Sequence, residues 1–307
     1  MPNFNDATPP SIPEDSNLSY PYPFQINDEV HAPDPDNPAW SSGGALLVWF
    51  VSIVLQFIVP LFFLIPYISY RGLNPSSPDF PTRIAELATT DRTGVFLQVV
   101  SILPTHILTL ALLWAFITSF GKRPFLSSLG WSWAGRLKFW QSVGFGILLF
   151  VVAATVAKLL GAEKPTKLEE LINSSLATRY AIAALAVFTA PFVEEFIYRG
   201  VLYSALQRTI GVRGAVFFVL ALFTLIHVPQ YWPNIGVIAA VGLLSIVLTV
   251  VRAYSGRLLP CIVIHLIFNL IQAVLLIIEP YTQRMLPNAE PTVPTASLIL
   301  PLIHSIF

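Results

Sequence analysis

The chain has 307 residues, 55% of them hydrophobic and only 11% charged, where soluble domains carry about 25% charged residues. Its 17 Lys and Arg balance its 17 Asp and Glu, leaving no overall basic field to attract nucleic acid. The composition excludes a soluble globular protein, and the single cysteine, Cys261, excludes an intrachain disulfide framework.

Residues 1–44 hold nine prolines, seven acids and no Lys or Arg. Too few apolar side chains are present to offset the entropy of ordering, so this stretch is expected to be a disordered acidic tail. It has neither the basic start nor the early apolar run of a cleaved leader, and the first apolar segment is expected to be a retained span. Apolar stretches follow near 45–69, 95–120, 138–160, 180–207, 213–233, 235–253 and 258–278. At about 1.5 Å rise per residue each can cross roughly 30 Å of hydrocarbon. Lipid offers no partner to bare backbone groups, and the runs lack strand alternation, so the predicted fold is all-α, a polytopic membrane bundle. Residues 295–307, interrupted by Pro301 and His304, are too short to span unaided. They are expected to form a partial eighth helix or an interfacial segment, giving seven to eight transmembrane helices.

The chain thus divides into the tail 1–44, N-terminal transmembrane helices 45–179, a core 180–278 and a C-terminal segment 279–307. Lys and Arg in alternate loops tie in number, so the positive-inside rule does not decide orientation. The compact, acid-free loop with Lys122, Arg123, Arg136 and Lys138 points to a cytoplasmic amino terminus.

Within the apolar spans, Glu194 and Glu195 are the two acids deep in a helix. An ionised carboxylate at the bilayer centre costs several kcal/mol, so it must be partnered, protonated or hydrated. Arg199 stands one turn after Glu195, which predicts a Glu195–Arg199 pair with Glu194 turned about 100° away as the freer carboxylate. A structural ion-pair knot is the competing reading. Glu-Glu-Arg nevertheless leaves one carboxyl in excess, as a general base requires and a knot does not.

Phe223 and His227 share a helix face at i, i+4, as do His265 and Asn269. A lone histidine is more often a packing residue than a base, and His106 beside Pro104 is another such candidate. Depth makes the stronger argument. Measured from the loops holding Arg208/Arg213 and Arg252/Arg257, Glu194 and His227 lie ~21 Å deep, Asn269 ~18 Å and His265 ~12 Å. Separately encoded polar groups in one layer predict a shared polar cavity.

Glu-Glu-x-x-x-Arg (194–199), Phe-x-x-x-His (223–227) and His-x-x-x-Asn (265–269), in this order, resemble the CAAX protease and bacteriocin-processing family of intramembrane proteases, which includes type II CAAX prenyl endopeptidases. The resemblance covers roughly residues 180–275. It implies an intramembrane endopeptidase in which Glu194 and His227 activate water while His265 and Asn269 hold the oxyanion, with Glu195, Arg199 and Phe223 in support. The implied partners are membrane lipids and a peptide or lipid-modified protein substrate, prenylated or bacteriocin-like, in the plasma (inner) membrane.

The family is also described as metalloendopeptidases, and Glu194, His227 and His265 would be the ligands of a divalent ion such as zinc. No His-Glu-x-x-His motif is present, so no cofactor is favoured. Cys261, one turn before His265, reads as inert packing. An idle immunity or binding protein of the same fold and a proton-coupled transporter are the alternatives from other classes.

Overall fold

A computed structural model describes residues 34–133, 136–161 and 166–285. Ser41 caps the first helix, α1 (Ser42–Tyr70), by accepting the Gly44 N–H at 3.2 Å. Two short helices come next, α2 (Phe80–Thr89) and α3 (Arg92–Val100), and α3 runs almost without a break into α4 (Ile102–Thr118). The single turn α5 (Phe125–Ser128) leads to α6 (Phe139–Leu159). Thr166 and Glu169 form a reciprocal capping box at the start of α7 (Lys167–Ser174).

The chain then continues through α8 (Leu176–Phe188), α9 (Ala190–Glu195), a π-helical segment (Phe196–Leu202) and α10 (Tyr203–Tyr231). The last two long helices are α11 (Ile235–Ser255) and α12 (Leu259–Met285). No strand occurs among the described residues.

Among the described residues, six helical stretches are long and apolar enough to cross a membrane: Ser42–Tyr70, Arg92–Thr118, Phe139–Leu159, Leu176–Tyr231, Ile235–Ser255 and Leu259–Thr282. The chain is a multi-pass membrane protein. Phe57, Phe62, Phe188 and Phe217 lie exposed on the outside of the bundle, where lipid replaces a packing partner. Two of the seven expected spans, 180–207 and 213–233, correspond to the single 56-residue stretch Leu176–Tyr231, which ends two residues before the second of them. Helical geometry fails inside it at Gly211, whose φ of 72° and ψ of 167° suit glycine and few other residues.

At the carboxyl end, α12 runs beyond position 278 to Met285, because Pro280 is tolerated within it. The expected partial helix at 295–307 lies outside the described residues.

One expectation needs correction. The last part of the stretch 1–44 is packed, not loose: Asp36 pairs with Arg252 at 2.6 Å, and Arg208 donates to Asn37 Oδ1 and to the Pro38 carbonyl. Trp40 is buried, its indole N–H donating to the Val201 carbonyl. The fully buried Arg252 neutralises Asp36 while Arg208 binds the amide and carbonyl groups that follow it, partners that composition alone does not reveal. The strap also joins the Arg208 and Arg252 ends of the bundle.

Packing fixes where the polar residues of the spans end up. α12 lies against α6 and α8, and α10 and α6 lie against α11. Gly146 on α6 permits the first of these contacts, since a Cβ there would sit 2.8 Å from Ile267 Cβ and 3.0 Å from the Ile264 carbonyl oxygen. The α12 turns that carry His265 and Asn269 are thereby held close to α6.

Candidate active site

Glu194 and Glu195 close α9, and the π-helical segment follows at once, so the charged triplet spans a change in helical period. Such π turns recur at functional sites. The two carboxylates occupy different environments: the Glu195 side chain is 0% exposed and that of Glu194 is 23% exposed, on a cavity of about 610 Å³.

Glu195 Oε1 accepts from Arg199 at 3.0 Å and from His265 Nδ1 at 2.8 Å. Arg199 is itself fully buried, and its other N–H groups reach Thr249 Oγ1 at 3.2 Å, Ser245 Oγ at 3.1 Å and the Ser245 carbonyl at 2.9 Å. Phe223 lies under the guanidinium, 4.8 Å from ring centroid to Cζ, and contacts the His227 ring on its other flank at 4.6 Å. The residues Glu195, Arg199 and Phe223 form one buried support that touches both imidazoles.

Each histidine is oriented by a hydrogen bond at Nδ1. His265 donates from Nδ1 to the Glu195 carboxylate, which turns Nε2 toward Glu194 Oε2 at 3.8 Å, too long for a direct hydrogen bond. His227 donates from Nδ1 to the Phe223 carbonyl at 2.7 Å, because a carbonyl can only accept; in the neutral ring Nε2 is then a bare acceptor. Asn269 donates one amide N–H to the Ala186 carbonyl at 2.8 Å and keeps its second N–H. Glu194, His227, His265 and Asn269 all line the one cavity. This set provides a partly hydrated carboxylate, a ring nitrogen able to accept a proton, and two fixed side chains able to donate hydrogen bonds.

Among the described residues, no three His, Cys, Asp or Glu side chains come close enough together to hold a metal ion. The trio Glu194, His227 and His265 does not fit a zinc site as it stands. Cys261 is fully buried, with its thiol directed at the Leu248 carbonyl at 3.4 Å and not at His265.

Three features escape a reading by motif. The bond from His265 to Glu195 joins residues 70 positions apart. Ser245 and Thr249, which hold Arg199, do leave a trace in the sequence as hydroxyls at i, i+4 in an otherwise apolar span. His106, on α4, shares the cavity with the site residues.

Residues 176–271 match the family described as Rce1-like, type II CAAX prenyl endopeptidase. The chain carries an Rce1-like domain of this family. All seven residues of the three motifs fall inside it. No curated protein and no solved structure matches the chain. The Rce1-like domain supplies α8 to α11 and the first half of α12, while α1, α3, α4 and α7 contribute to the cavity wall from outside the matched region.

Proposed function

We propose that the cavity is the active site of an intramembrane endopeptidase that hydrolyses a peptide bond near the terminus of a membrane-associated protein. The observation that carries this reading is the division of labour between adjacent carboxylates. Glu195 is buried and its Oε1 orients His265 and pairs with Arg199, whereas Glu194 faces the cavity beside His265 Nε2.

Glu194 and His227 Nε2 together take a proton from water, and the hydroxide adds to the substrate carbonyl carbon. The charge on the carbonyl oxygen is met by His265 and by the second N–H of Asn269. Collapse breaks the C–N bond, and the departing amine takes back the proton removed from water. With Nδ1 donating to Glu195, the oxyanion role asks His265 to donate from Nε2 as well.

The Rce1-like match supports, as the substrate class, a CAAX-type terminus carrying a lipid that keeps it at the membrane surface. The break at Gly211 supports two crossings within Leu176–Tyr231 and so seven in all, and a plasma-membrane location with a cytoplasmic amino terminus belongs to the same proposal. A library of tagged peptides with and without a prenyl group, incubated with purified protein in bilayer discs, tests the reading. Discrete products mapped by mass spectrometry, formed equally with and without chelator, are expected. Intact substrate throughout, with proton-driven flux in sealed vesicles, would favour transport instead.

A further inference from the structure

A third imidazole stands in the cavity, contributed by α4 from outside the Rce1-like domain. His106 is buried and lines the same space as Glu194 and His227. Its Nδ1 lies 2.8 Å from Thr189 Oγ1, and the Thr189 hydroxyl donates to the Leu185 carbonyl at 3.0 Å. With its one proton spent on that carbonyl, the hydroxyl can only accept from the ring, so Nδ1 carries the hydrogen. Nε2 of the neutral ring is then a lone-pair acceptor, and among the described residues nothing donates to it. A ring held in one tautomer by two linked hydrogen bonds, with its acceptor left to a cavity sized for peptide, is arranged to receive an N–H.

We infer that His106 contacts the substrate directly, Nε2 accepting a hydrogen bond from a backbone N–H of the bound peptide beside the cleaved bond. This rests on the proteolytic reading of the cavity and adds to it a determinant of how the peptide is held. A backbone contact fixes register without selecting a side chain, so it suits substrates of varied sequence. Thr189 acts as a positioning residue through the ring.

The test replaces, one at a time, each amide flanking the cleaved bond with an ester, which exchanges the N–H for oxygen. At one position the ester is expected to lower wild-type kcat/KM by about 10-fold, the loss of one neutral hydrogen bond. The same ester should cost His106→Phe less than about threefold, and His106→Gln, which keeps an acceptor near the Nε2 position, should restore much of the penalty. A full penalty retained by His106→Phe at every position would overturn the inference.

Should His106→Phe fail to fold, Thr189→Val leaves the ring but frees its tautomer, and the same penalty should shrink; an unchanged penalty again counts against His106. Binding of the amide and ester peptides to the Glu194→Gln protein, read by fluorescence anisotropy, separates the two readings. Loss of discrimination only when His106 is replaced supports the contact even if cleavage fails, and equal binding of amide and ester by protein with His106 intact overturns it.

Discussion

The pairs Arg199–Glu195 and Arg179–Glu279 use the same two groups at nearly the same separation, 3.0 and 2.8 Å, and both are buried between helices. Their surroundings differ. Arg179 spends its remaining bonds on the Leu276 carbonyl and on Asn173, fastening α8 to α12 and to the end of α7. The carboxylate partnered by Arg199 also orients His265, and the neighbouring Glu194 adds a carboxyl beyond what the arginine can neutralise. A buried ion pair is therefore no sign of a site in itself. What marks one is surplus charge beside an oriented imidazole, open to a cavity.

The largest effect expected from this contrast is on Glu194. Glu194→Gln should lower the cleavage rate by roughly 10²–10⁴-fold while the thermal melt stays close to wild type, since the side chain is not part of the buried pair. Next comes Asn269. Asn269→Ala should reduce kcat by roughly 10²–10³-fold with little change in KM, and exhaustive chelation should leave the wild type active. Rescue of Asn269→Ala by added zinc, or loss of wild-type activity on chelation with recovery on zinc addition, would point to a metal in place of the oxyanion role.

The two knots part company under matched substitutions. Glu195→Gln and Glu279→Gln each strand a buried arginine and should each cost about 3–5 kcal/mol of stability. Turnover per folded molecule should fall in Glu195→Gln, where His265 loses its carboxylate partner, and stay at the wild-type value in Glu279→Gln. Equal turnover in the two variants would erase the distinction between them.

The smallest effect lies outside the spans. Burial alone would raise the Asp91 carboxyl, but the Gly94 N–H, Arg71 and the Tyr67 hydroxyl outweigh it and hold the group below the ordinary carboxylate range. A depressed folded value means that Asp91 contributes stability above the ordinary carboxylate range and loses it as pH falls through the folded value. Asp91→Asn should therefore flatten the acid limb of a melting-temperature profile slightly and leave cleavage near neutral pH unchanged.

How much of this was legible in the sequence depends on the range of the interaction. Span positions follow from composition, because lipid exposure makes a whole segment apolar, and the Glu195–Arg199 pair follows from helical spacing within one turn. The bond between Glu195 and His265 depends on how α12 packs, for which Gly146 gives no local signal. Docking of 34–40 was hidden for a related reason: proline and acid content describes a chain in isolation, and Arg208 and Arg252 lie far along it. His106 is a single histidine in an apolar run with no neighbour in sequence to give it meaning, and Thr189, which supplies that meaning, is 83 positions away.

The central claim is that the cavity carboxylate, and not the buried pair beside it, drives hydrolysis. Its most direct test is the rate of peptide cleavage per folded molecule in bilayer discs for wild type, Glu194→Gln and Glu279→Gln measured side by side. The account predicts a drop of at least about 100-fold for Glu194→Gln against wild-type turnover for Glu279→Gln. Glu194→Gln turning over at the wild-type rate would contradict it.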